Sequence, residues 1–428
     1  MAPFNEEFWR GYWPLLLTVG AVQLSQQVDI LMVARVADGA PSAYLIIMRL
    51  AILDVVLTAA IGAVISTAVG QARSGGHGYT SHIIGQALGL ALPAGLCCCA
   101  LGLSLYPRVA PWLTSDNEIL ALVGPGAFWF SVAAPFRMWN SACTFILHAS
   151  GRGALVVKWK FVEVGAKAAA TFLAVEFFRC GFSSCFIAAL FVAIASTIWC
   201  RRALWSSLGI DGLSLPDYAS TTKFMRWTGW EAQRIMSIQL ATLACLALFS
   251  ARWLGNYDVS RVDSYAAGQT LTLMVLAPFM ALVQFLAFRL APIPDDFLES
   301  SVRILWRHGL PVAISAGYLL FLSCDQLGHL YGQCGPWWST FIESLAISLP
   351  LRYTTNVMRA ALQSRGGFAI VATLDSAAFW LLATPLVAIG LYLDSAPVAY
   401  LSLIVPEAVC AASLWGRIQT VPPFPRRL

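Results

Sequence analysis

The chain has 428 residues, of which 58% are apolar and 11% charged. A soluble domain carries about 25% charged residues, and a chain this long cannot cover a water-facing surface with less than half of that. A soluble enzyme, a secreted disulfide scaffold and a disordered chain are excluded, which leaves a polytopic helical membrane protein. The formal charge of +5 does not point to nucleic acid.

Each span takes about 20 apolar residues. Hydropathy and turn chemistry predict twelve helices, at roughly 11–36, 42–72, 83–106, 118–149, 155–178, 182–204, 224–250, 264–291, 302–325, 336–363, 368–393 and 397–416. Ahead of the first, Glu6 and Glu7 stand where a cleavable leader needs positive charge, so this helix is expected to be retained. Asp38-Gly39-Ala40-Pro41, Ser74-Gly75-Gly76-His77-Gly78 and Gly151-Arg152-Gly153 are turns between spans. Ser115-Asp116-Asn117-Glu118 reads as a capping box opening the fourth helix. Residues 205–223, with Gly209, Gly212 and Pro216, read as a cytoplasmic linker between an N-lobe (1–204) and a C-lobe (224–428).

Lys and Arg give the orientation, because cytoplasmic loops carry their excess. With the N-terminus inside, 17 of the 27 basic residues fall on the cytoplasmic face, Lys160 and Arg359 among them. Five fall on the other face: Arg35, Arg108, Arg179, Arg252 and Arg261. Both termini are therefore expected in the cytoplasm of a cell whose inner membrane holds the protein.

The halves repeat. A displacement of 215 residues aligns Pro135-Phe136-Arg137 with Pro350-Leu351-Arg352, and also Leu147 with Leu362, Gly151 with Gly366 and Ala154 with Ala369. A displacement of 217 pairs Ala34-Arg35 with Ala251-Arg252, and one of 221 pairs Tyr44 with Tyr265 and Leu50 with Leu271. The expected fold is an all-α polytopic membrane protein, with twelve transmembrane helices in two pseudo-symmetric six-helix bundles around a central cavity. Such duplication is a transporter signature.

Certain residues resemble a known family. Pro14 lies 15 residues before Asp29, and Asp29-Ile30-Leu31-Met32-Val33 runs on to the small residue Ala34. Together with Trp112–Leu120 at the entry to the fourth helix, and Leu147–Gly153 and Leu362–Gly367 at two helix exits, this resembles the multidrug and toxic compound extrusion (MATE) family. That family sits within the MOP superfamily, which also includes lipid-linked oligosaccharide flippases. The resemblance implies a coupling-ion network in the first lobe, with Asp29 as a member. The chain departs from the family's pattern in the fifth helix, where an Asn and an Asp about one turn apart are usual. Phe161-Val162-Glu163-Val164-Gly165-Ala166-Lys167 stands there, with Glu163 as the surviving acid. The proline expected early in the seventh helix is also missing, at Gly229-Trp230-Glu231.

Ionisable groups inside spans are costly and mark function or internal pairing. Asp29, Asp54 and Glu163 are the candidate coupling-ion residues, for a proton or, as the runner-up, sodium. Gln26, Arg137, Glu231, Arg352 and Asp375 are the candidates for the substrate cavity. Helical spacing permits Arg49 with Asp54, Glu163 with Lys167, and Glu231 with Arg234. Asp29 has no basic residue close in sequence within its span, while Gln23, Ser25, Gln26 and Gln27 make its helix polar on one face. The repeat-related Arg137 and Arg352 present two alternatives. Unpaired, they would clamp an anionic substrate between them. Paired inside their own lobes, with Asp54 or Glu163 for Arg137 and Glu343 or Asp375 for Arg352, they leave room for a cationic or amphipathic one.

Other motifs read more plainly. His77 and His82 lack nearby metal ligands, and Cys97-Cys98-Cys99 fits small apolar packing. Cys180 with Cys185 and Cys324 with Cys334 lie close enough in sequence for bridges in outer loops, with free thiols as the alternative. Asp295-Asp296-Phe297-Leu298-Glu299 resembles half of the acidic motif of intramembrane prenyltransferases, but no second acidic cluster accompanies it. With no phosphate-cradling loop, an ion gradient is the expected energy source. The reading is a non-enzymatic transporter without a cofactor, working in a lipid bilayer on a small-molecule substrate. It exports small organic compounds by proton-coupled antiport, or an anionic or lipid-linked substrate in the alternative.

Overall fold

The computed structural model describes residues 6–33, 36, 40–73, 77–113, 117–178, 181–209, 218–251, 253–255 and 259–420. Seventeen α-helices run through them: α1 (Glu6–Val33), α2 (Ala40–Leu50), α3 (Ile52–Ala72), α4 (His77–Leu113), α5 (Asn117–Val132), α6 (Ala134–Ala149), α7 (Gly153–Phe172), α8 (Ser184–Leu208), α9 (Tyr218–Ser250), α10 (Val259–Leu290), α11 (Asp295–Leu322), α12 (Cys324–Tyr331), α13 (Pro336–Ser364), α14 (Phe368–Ala378), α15 (Thr384–Tyr392), α16 (Ala396–Tyr400) and α17 (Val405–Thr420). All twelve predicted spans have a counterpart. Several are broken where the sequence suggested a single rod. The second is α2 with α3, interrupted at Ala51. The fourth is α5 with α6, bent by 47° just before Pro135. A proline cannot donate to the helix ladder and its ring crowds the preceding turn, yet its repeat partner Pro350 lies inside the unbroken α13. The eleventh span joins α14 to α15 through a π-helical turn, Phe379–Ala383. The short α12 occupies what the sequence presented as loop. The capping box at Ser115 and the centre of the linker lie outside the described residues.

By length and apolarity, eight described helices qualify as membrane spans, and nine with the bent pair α5/α6 counted as one. The shortfall from twelve is α1, α7 and α13. α7 carries Lys158, Lys160, Glu163 and Lys167, and α13 carries Glu343, Arg352 and Arg359. These charges lower the apolarity of the two helices, and all but the exposed Lys158 and Glu343 are at least partly buried.

The helices form two units, Arg10–Thr228 and Gly229–Leu428, the latter with the start of α1 as far as Trp9. The core of the first gathers Tyr44, Ile47, Leu50, Tyr106, Val123 and Phe186 from α2, α4, α5 and α8. The core of the second gathers Phe249, Tyr265, Leu271, Phe341 and Tyr400. Tyr44 and Leu50 thus occupy in one core the places of Tyr265 and Leu271 in the other, and each tyrosine stacks on a phenylalanine, Phe186 or Phe249.

The repeat is also visible bond by bond. The N–H of Arg152 donates to Leu147 O at 2.8 Å, and the N–H of Gly367 donates to Leu362 O at 2.9 Å. Gly151 and Gly366 sit at φ +79° and +81° in these turns. His148 Nε2 meets Thr18 of α1 at 3.1 Å, and its repeat partner Gln363 donates to Glu231 of α9 at 3.0 Å. Asn140 donates to Ala193 O of α8, and its partner Thr355 to Glu407 O of α17.

Arginines close several helix ends, where the last carbonyls lack partners in the helix. Arg261, fully buried, donates to Phe249, Ala251 and Leu254 carbonyls at the end of α9. It therefore caps α9, a role that its place between two spans did not reveal in the sequence. Arg365 donates to Leu290, Ala291 and Ile293 carbonyls at and just beyond the end of α10, and Arg73 to Ala149 O at the end of α6. Cys324 and Cys334 are free thiols, as is Cys185, so the second bridge does not form; Cys180 lies outside the described residues.

A left-handed residue other than glycine costs about 1–2 kcal/mol. Gly151→Ala and Gly366→Ala should each lower thermal stability of the purified protein by that order. The space around Gly151 is open to a methyl group, so a melt matching wild type would show that its turn tolerates the strain.

Candidate functional site

In the first unit, α1 and α7 bring Asp29 to Lys167, with Nζ at 2.5 Å from Oδ2. The Tyr44 hydroxyl of α2 donates to the same oxygen at 2.9 Å, and Lys167 also reaches Ser25 Oγ at 3.4 Å. Glu163, one turn earlier on α7, is held through both oxygens by Lys160 at 2.9 and 3.2 Å. From α6, Arg137 grips Asp54 of α3 through Nε and Nη2, at 3.1 and 2.9 Å, and spends its remaining arm on Phe130 O. The guanidinium also lies over the Phe130 ring, 3.8 Å from its centre. These groups border a cavity of about 240 Å³, lined by Asp29, Tyr44, Arg137, Glu163 and Lys167 and walled by Phe130, Phe186 and Met48.

In the second unit the charges form an alternating chain. Glu231 of α9 pairs with Arg234 one turn on, at 2.5 Å. Arg234 reaches Asp375 of α14 at 3.2 Å, and Arg359 of α13 holds the other oxygen of Asp375 at 2.9 Å. Arg359 continues to Glu407 of α17 at 3.5 Å, and Arg352 meets Glu407 at 3.7 Å. Gln363, Asn356 and Ser348 accept or donate the remaining bonds. Glu231, Asp375 and Glu407 are all buried.

The candidate residues thus divide between two clusters. Asp29, Glu163 and Arg137 line the cavity of the first unit, with Asp54 behind Arg137. Glu231, Arg352 and Asp375 belong to the chain of charges in the second. The side chains of Gln26 and Arg49 lie outside the described residues.

The pairings follow the sequence reading only in part. Asp29 has a cationic partner, supplied by a helix distant in sequence. Lys167 does not pair with Glu163, which takes Lys160 instead. Asp54 pairs with Arg137, one of the two partners the sequence offered that arginine. Arg352 meets neither Glu343 nor Asp375 but Glu407. With a carboxylate within 4 Å of each, Arg137 and Arg352 are not free to clamp an anion. Arg359 and Lys160, read from the sequence as cytoplasmic charges, are interior partners of acids. Arg359 lies seven residues beyond Arg352, two turns along the same helix face, and that spacing was the available signal. Tyr44 had none. Of the prenyltransferase-like motif, Asp296 is exposed to solvent and Glu299 pairs with Arg303 at 2.7 Å, while the Asp295 side chain lies outside the described residues. Among the described residues no group of His, Cys, Asp and Glu is arranged to hold a metal.

No family model and no curated protein matches the sequence. Solved structures do. A crystal structure of MATE in the bent conformation aligns at TM-score 0.85 and 14% identity, over 98% of this chain and 96% of that one. An outward-facing multidrug resistance MATE family transporter of the MOP superfamily aligns with the same four values. A MOP superfamily transporter from Pyrococcus furiosus Vc1 (DSM3638), described as having reverse polarity of its binding pocket, aligns at 0.83 and 13%, over 98% and 96%. The fold is therefore that of MATE transporters, and the protein crosses the membrane many times.

Removing one partner of a buried ion pair strands the other and costs about 3–5 kcal/mol. Arg359→Met, which leaves Asp375 and Glu407 short of a cation, should destabilise the detergent-solubilised protein by that order in a thermal unfolding assay. Arg303→Met, at an exposed pair, should change stability by less than about 1 kcal/mol. Equal melts for the two variants would show that the buried network carries no stability.

Proposed function

We propose that the protein is a secondary active transporter that exports small cationic or amphipathic organic compounds in exchange for protons, by alternating access. The observation that carries this reading is the cavity of the first unit, where the carboxylates Asp29 and Glu163 stand among aromatic walls within a transporter fold. A proton and a cationic group compete for one carboxylate, and mutually exclusive binding is what antiport requires. Phe130, Phe186 and Tyr44 offer apolar faces to a flat organic body. The internal pairing of Arg137 and Arg352 favours this reading over an anionic or lipid-linked substrate. The bias of Lys and Arg supports a cytoplasmic placement for both termini. It keeps its sign when Lys160, Arg359 and Arg261 are removed from the count as interior residues.

The test is transport by purified protein in liposomes, with a panel of labelled cationic, neutral and anionic amphiphiles and an imposed pH gradient. Accumulation of cationic compounds is expected, with at least a tenfold loss in Asp29→Asn and no change in that variant's helical content or elution volume. Gradient-driven transport that survives Asp29→Asn would remove this carboxylate from the exchange. For orientation, a single cysteine at Arg152 in a cysteine-free background should resist impermeant maleimide in intact cells and react in inverted vesicles; the opposite pattern reverses the topology.

A further inference from the structure

The Asp29–Lys167 contact bears on which ion the cavity accepts. Both donors to Asp29, Tyr44 Oη and Lys167 Nζ, converge on Oδ2, leaving Oδ1 clear of them. The charged and titratable groups facing this carboxylate across the cavity are Tyr44 from α2, Arg137 from α6, Lys160, Glu163 and Lys167 from α7, and Cys185 from α8. Arg137 and Lys160 are held by Asp54 and Glu163, so Lys167 is the cation that answers Asp29.

A metal cation and a proton make different demands on such a site. A hard cation such as sodium needs several oxygen lone pairs converging on one point. Here an ammonium and a hydroxyl both donate to Oδ2, so a metal would find only Oδ1 of this carboxylate open to it. Sodium would have to expel Lys167, whose tether keeps a like charge within a few ångströms. A proton needs only one oxygen. A protonated carboxyl keeps acceptor capacity on its other oxygen, so Oδ1 takes the proton while Oδ2 continues to accept from Lys167 and Tyr44.

We propose that Lys167 is a tethered cation occupying the place of sodium at Asp29, which makes this site selective for protons, and that removing its charge uncovers a sodium site formed by Asp29 and Ser25. The proposal deepens the transporter reading in that it assigns the ion exchanged at Asp29, but it is tested by binding and does not depend on transport.

The experiment compares thermal unfolding of the purified full-length protein in sodium and potassium chloride at equal ionic strength, with wild type, Lys167→Gln, Lys167→Arg and the double variant Asp29→Asn/Lys167→Gln. Wild type and Lys167→Arg should melt alike in the two salts. Lys167→Gln should melt higher in sodium, by a shift that grows with sodium concentration as mass action requires. The double variant should lose that shift. A sodium-specific shift in wild type overturns the proposal without recourse to any variant. So does a folded Lys167→Gln that responds equally to both salts. If Lys167→Gln does not fold, Lys167→Met is measured in its place under the same criterion. Transport assays separate the two readings: a sodium-specific melting shift in Lys167→Gln, beside a wild-type protein that moves no compound under any gradient, would sustain the binding proposal and end the transporter reading.

Discussion

A carboxylate in the interior of a membrane protein has neither water nor lipid to neutralise it, and leaving it without its cation costs about 3–5 kcal/mol, a large share of the roughly 5–15 kcal/mol that holds a typical domain folded. The rest of this structure is arranged around that constraint. Asp29, Asp54 and Glu163 in the first unit, and Glu231, Asp375 and Glu407 in the second, each have a Lys or Arg within 4 Å. Lys160 with Glu163 and Arg234 with Glu231 are local, one turn apart. The others join different helices, most of them remote in sequence, so the pairs help select which helices meet: α1 with α7, α3 with α6, and α9, α13, α14 and α17 together. Apolar packing alone specifies partners poorly where lipid is as apolar as the side chains.

The same shortage of water explains the arginines at helix ends. Terminal carbonyls inside a bundle have no solvent to turn to, and a guanidinium offers five donors from one side chain. Arg261 serves three carbonyls at the end of α9 and Arg365 three at the end of α10. Such residues look like loop charges in a sequence, because they stand where spans end. Their positions follow from backbone chemistry as much as from membrane topology.

Span number, helix composition and the two-fold repeat were legible because they depend on periodicity and on local rules. Gly151 and Gly366 illustrate this: each ends a helix in a left-handed turn, a requirement one residue imposes by itself. Glu231 with Arg234 was legible for the same reason, since one helical turn fixes the spacing. Partners across helices were not. Lys167 lies 138 residues from Asp29, and its i,i+4 neighbour Glu163 offered a plausible local alternative that the structure does not use. Arg359 was hidden differently: its place near the end of a span suggested a cytoplasmic charge, whereas its side chain turns inward to Asp375 and Glu407.

The repeat preserves hydrogen bonds but not charge. Position 148/363 ties the fourth helix of each unit to its first, and 140/355 ties it to its sixth, so the skeleton is shared. The charged groups hung on it differ. In the second unit, Asp375 is shared by Arg234 and Arg359, and Glu407 by Arg359 and Arg352, so no single contact opens without unbalancing the next. In the first unit the pairs are separate. The basic partner is the more exposed in two of them, 20% against 6% for Lys167 and Asp29 and 26% against 10% for Arg137 and Asp54. Separate pairs bordering a cavity can be broken and remade one at a time, whereas a linked and buried chain favours a single arrangement. On the proposed reading, ion exchange therefore belongs to the first unit, and the second supplies a bundle whose charges stay in place while it moves as a body.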